Sequence, residues 1–126
     1  MIRECIPPLT RAGISQPDAE ALRRIAMTLH RWHELECGSD RGCIERDETT
    51  GKPYWSSAIT GKRYAVADRE EGARKRLAKI MARYPTLRAY IQGDPRGASL
   101  YILRPGDVPE GEAIDSYYSR GLAVYK

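Results

Sequence analysis

Thr50-Gly51-Lys52-Pro53-Tyr54 is followed ten residues later by Thr60-Gly61-Lys62-Arg63-Tyr64, a second copy of the pattern T-G-K-x-Y. So short an offset leaves room for a strand and a turn and little else. Glycine at each turn supplies the positive φ that tight reversals need. The flanking runs CIERDE, PYWSSA and RYAVA are short and partly alternating. Together they predict a three-stranded antiparallel meander. Two copies are too few for a solenoid.

Helices are expected on either side of it. Ser15 offers an N-cap, with Pro17 and Asp18 in the first turn. Leu22, Ile25, Ala26, Leu29 and His33 then recur at helical spacing, and Gly38 is a natural terminator. The first helix is placed at about 16–37, after an irregular lead-in over 1–14 containing Pro7-Pro8. Asp68-Arg69-Glu70-Glu71 has capping-box spacing, and Ala73, Leu77, Ile80, Met81 and Tyr84 line one face behind it. The second helix is placed at about 69–84, where Tyr84-Pro85 stops it. LRAYIQ and ASLYILR flank the turn GDPRG and read as a hairpin, RPGDVPEGE as a loop, and GLAVYK as a closing strand. The order α-βββ-α-ββ-β predicts one α+β domain over 15–126, an antiparallel sheet with both helices on one face.

A chain of 126 residues is long enough to bury a modest core of its own. No apolar run reaches bilayer length, so no membrane partner is expected. The first residues, MIRECIPPLTRAG, lack the basic head and apolar stretch of a secretory signal. With three cysteines, an odd number, the expected state is free thiols in a reducing cytoplasm.

HRWHELECGSDRGC, residues 30–43, is the densest group of potential ligands. His30, His33 and Cys37 fall on one side of a helix and Cys43 just beyond its end, which makes a zinc set conceivable. The spacing H-x2-H-x3-C-x5-C lacks the close Cys pair that opens structural zinc sites. The simpler reading places His33 and Cys37 in the buried stripe with His30 at its rim, and no cofactor is expected. Cysteine one turn from histidine also suits an activated thiol, but no nucleophile elbow or cysteine-hydrolase signature accompanies it. No phosphate-binding glycine loop is present.

Two surfaces remain as binding candidates. Lys75, Arg76, Lys79 and Arg83 cluster on the second helix away from Leu77 and Ile80, with Arg69 nearby. Strand alternation turns Arg88, Tyr90 and Tyr101 outward, with Arg96 in the turn between the strands. Basic and aromatic groups of this kind suit phosphates and stacked bases, or an acidic and apolar protein surface. A net charge of +4 favours an anionic partner only slightly.

LHRWHELECG, IERDETTGKPY and DPRGASLYILRPGDVP resemble small accessory proteins encoded by bacteriophages and prophages. The resemblance implies a bacterial cytoplasm during infection and a non-catalytic protein that binds and blocks a host complex. Counter-defence proteins such as anti-CRISPR proteins are of this kind. It carries no catalytic motif and hence no residue roles. A small nucleic-acid-binding module and a zinc- or thiol-dependent enzyme are the competing expectations.

Overall fold

The computed structural model describes residues 6–94, 97–107 and 121–124. The chain runs α1 (Ile6–Arg11), α2 (Gln16–Cys37), β1 (Gly42–Arg46), β2 (Pro53–Ser57), β3 (Arg63–Ala65), α3 (Arg69–Met81), β4 (Arg88–Asp94), β5 (Gly97–Leu103) and β6 (Leu122–Ala123). It is an α+β fold. The strands form two separate antiparallel sheets, β1-β2-β3 and β4-β5-β6, where a single sheet was expected. α3 intervenes in the chain between them, and each sheet finds its own face of α2.

The repeated T-G-K pattern builds two turns with the same bonding. Asp47 Oδ1 accepts from the backbone N–H of Thr49 and Thr50 at 2.8 and 2.9 Å, and Ser57 Oγ accepts from Ile59 and Thr60 at 3.2 and 3.1 Å. Gly51 and Gly61 sit at φ 72° and 71°, where a Cβ would be strained. The meander expected from the repeat is present, β2 pairing with both neighbours.

α2 begins at Ser15, whose side chain accepts from the Asp18 N–H, and ends at Gly38 with φ 87°. Leu22, Ile25, Ala26 and Leu29 are buried against Ala73, Leu77 and Ile80 of α3 and against Leu100 and Ile102 of β5. Val124, beyond β6, closes this core by donating its N–H to the Leu100 carbonyl at 2.9 Å.

Two boundaries differ from expectation. The lead-in is partly helical: α1 places Leu9 in the core, and Ile14 is buried just after it. Prolines at a helix start cost nothing, because the first N–H groups have no intrahelical partner. α3 stops at Met81 rather than 84, and Ala82–Tyr84 form a turn, with Tyr84 N–H bonded to the Met81 carbonyl at 3.0 Å.

That turn lets Tyr84 and Arg83 clasp the start of α2. Tyr84 Oη donates to Asp18 Oδ2 at 2.6 Å, Arg83 Nη1 donates to Asp18 Oδ1 at 2.6 Å, and the Ser15 N–H donates to Tyr84 Oη at 3.0 Å. The tyrosine hydrogen bond, with help from Arg83 and against burial, holds the Asp18 carboxyl below the usual carboxylate range. A carboxylate whose folded pKa is lowered contributes stability above its unfolded pKa of about 3.9 and loses it as pH falls toward the folded value. The urea midpoint is therefore expected to hold from neutrality to about pH 5 and then to fall. In Asp18→Asn it should start lower and fall less steeply; an unchanged slope would contradict the assignment.

Candidate functional site

α2 continues past the core. Trp32, one turn beyond Leu29, is 3% exposed, yet it lies outside the main cluster, as does buried Ile44 of β1. The two share a groove of about 630 Å³ between the C-terminal half of α2 and the first sheet. Met27 and Leu35 of α2, Trp55 of β2 and Val66 after β3 complete its apolar lining. Arg31 and Arg69 supply the charge at its margin, both exposed and neither in an ion pair among the described residues. Met27 is 40% exposed where it borders the groove.

An ion-pair clamp adjoins the groove. Arg46 Nη1 and Nη2 donate to Asp68 Oδ2 and Oδ1 at 2.7 and 3.1 Å, and Nη2 also donates to Glu70 Oε1 at 3.1 Å. The same guanidinium lies over the Trp32 ring, 5.8 Å from its centroid. Asp68 meanwhile caps α3 by accepting from the Glu71 N–H at 3.0 Å. The Arg46 hydrogen bonds, aided by that N–H and opposed by burial, hold the Asp68 carboxyl below the usual carboxylate range. One arginine therefore ties β1, the start of α3 and the groove floor together. Its side chain is 34% exposed, so solvent screens part of the interaction. Arg46→Ala is expected to cost about 1–2 kcal/mol in urea unfolding. Arg46→Lys should recover less than half of that, since lysine cannot make the bidentate contact.

The basic residues singled out by sequence do not form one stripe. Arg69 borders the groove. Arg76, Lys79 and Arg83 line a smaller cleft of about 310 Å³ between α3 and α2, together with Arg24. Arg83 is already held by Asp18, and Lys75 pairs with Glu71 at 3.0 Å. Arg88 lies on the far side, lining a depression with Arg74. Tyr90 and Tyr101 are brought directly opposite each other across β4 and β5. Arg96 lies outside the described residues.

The histidine and cysteine stretch also departs from expectation. His33 is half-exposed and Cys37 exposed, because the buried stripe continues through Trp32 instead. His30 does sit at the rim, its Nδ1 3.1 Å from the Ala98 carbonyl of β5. Cys43 is half-buried. Among the described residues no three of His, Cys, Asp and Glu are grouped to hold a metal ion. Among the same residues no helix is long and apolar enough to cross a membrane.

Sequence reasoning missed the groove. Trp32 lies three residues after Leu29 and seven after Ile25, which is stripe spacing, but it stands between His30 and His33, whose ligand chemistry is the stronger local signal. Met27, Arg31 and Trp55 carry no such signal, since only the packing of the meander on α2 brings them together. Comparison with known proteins finds no matching family model, no similar curated protein and no similar solved structure.

Proposed function

We propose that this chain is a non-catalytic binding protein that takes a partner protein into the groove between α2 and the first sheet. The observation that carries this reading is an apolar groove with two tryptophans and, at its margin, arginines that pair with no carboxylate among the described residues. Aromatic side chains and arginine are the groups that concentrate binding energy at protein interfaces. The occupant fitted by this chemistry is a protein segment offering an apolar side chain flanked by carboxylates. Arg24, Arg76, Lys79 and Arg83 do share one cleft, but Arg83 is held by Asp18 and Lys75 by Glu71, which leaves fewer charges for a phosphate-tracking surface. The phage-like phrasing of three segments supports a host complex, one engaged in defence, as the source of that partner.

The test is affinity purification of the tagged protein from bacterial cells, with and without nuclease, followed by titration of the captured partner against tryptophan fluorescence. Met27→Glu should abolish capture and the fluorescence change while leaving the thermal melt in place. Arg76→Glu with Lys79→Glu should retain both. Capture that disappears with nuclease, or a salt-steep gel shift lost in the Arg76 and Lys79 variant, would establish a nucleic-acid partner instead.

A further inference from the structure

β4 is an edge strand of a kind that proteins seldom leave bare. It spans Arg88–Asp94, pairs with β5 on one side, and has no strand on its other side among the described residues. Long edges are commonly blunted by proline, a bulge or a charge in mid-strand. Here the β4–β5 register runs without a bulge from Arg88↔Leu103 to Asp94↔Gly97, and the residues between the two ends are uncharged. β3, the exposed edge of the other sheet, is only three residues long.

The ladder fixes which groups face outward. The Val124 N–H bonds to the Leu100 carbonyl, so Leu100 directs its backbone toward β6 and away from β4. Leu100 stands opposite Ile91, and residues facing each other in such a pair both turn their N–H and C=O away. Ile91 therefore points its backbone groups out of the edge, and so do Ala89 and Gly93 by alternation.

We propose that this edge pairs with the same edge of a second copy of the chain, antiparallel and with the two-fold axis through Ile91. Ile91 then faces Ile91, Ala89 faces Gly93, and every outward N–H and C=O of the edge gains a partner. The register sets Arg88 opposite Asp94, opposite charges at both ends of the interface, as an isologous contact requires. Beside the edge, Leu77, Met81, Leu87 and Ala89 line an apolar depression of about 430 Å³. In this register Gly93 of the incoming strand stands opposite Ala89, and Ile91, diagonal to it, is the inner-face side chain that reaches the depression. The two copies share one six-stranded sheet and leave the α2 groove of each free.

Analytical ultracentrifugation over a concentration series tests this. A mass near twice the 14.2 kDa chain is expected, with amides of Ala89, Ile91 and Gly93 gaining exchange protection as concentration rises. Ile91→Pro removes an outward donor and should give a monomer. Arg88→Asp is the second variant, because Arg88 is exposed and its loss spares the core. It should weaken the dimer at least tenfold, and adding Asp94→Arg should restore it. A monomer at every concentration overturns the proposal, as does a dimer indifferent to both single substitutions. Amides at 89, 91 and 93 protected to the same degree at all concentrations overturn it as well.

Discussion

Gly42→Ala is expected to destabilise the protein by roughly 3–5 kcal/mol, combining backbone strain with overpacking. Gly42 opens β1 at φ 140°, and a Cβ there would collide with the Ser56 carbonyl of the paired strand. Neither strain nor collision can relax cheaply, because Gly42 also bonds back to Ser39 through both its N–H and its carbonyl, at 3.1 and 2.9 Å. Gly51 and Gly61 are internal controls: their φ is also positive, but a Cβ on either meets nothing within 4 Å. Alanine there should cost only about 1–2 kcal/mol. Urea unfolding of the three variants measures the difference, and a Gly42 loss no larger than the controls would refute the close approach.

Trp32→Ala is expected to cost about 3–5 kcal/mol, the range for removing a large buried aromatic. It also removes the groove floor and the ring beneath Arg46. Trp32→Phe should cost far less than the lost volume suggests. Among the described residues the buried Trp32 Nε1 has no hydrogen-bond partner, so phenylalanine deletes a desolvated donor along with the atoms that carry it. Calorimetric melts of both variants decide the matter. A Phe variant as unstable as the Ala variant would mean that shape alone holds the ring in place.

Much of the fold was legible because its signals are local. Ser15, Gly38 and Asp68 mark helix ends through side-chain and backbone chemistry confined to one turn, and the twin T-G-K turns are likewise self-contained. The division into two sheets was not legible, since strand pairing depends on which strands reach α2, and β4 and β5 alternate much as the meander does. α1 was hidden by Pro7-Pro8, residues that break a helix anywhere but its first turn. The candidate groove was the least legible part. Its residues come from α2, β1, β2 and the run into α3, and none is unusual where it stands in the chain. Of the basic residues chosen on helical spacing, Arg69 reached the groove margin while Arg83 proved to be part of a structural clasp.

The same clasp bears on the order of events in folding. The meander closes loops of a few residues and can form early, since short closures cost little chain entropy. Asp18 and Tyr84 lie 66 residues apart in sequence, and their bond closes only when the start of α2 meets the turn after α3. Contacts that form after the transition state govern how fast a protein comes apart rather than how fast it assembles. Ser15, Asp18, Arg83 and Tyr84 are thus expected to act as a latch on lifetime, slowing the escape of α3 from α2, and with it the loss of the groove.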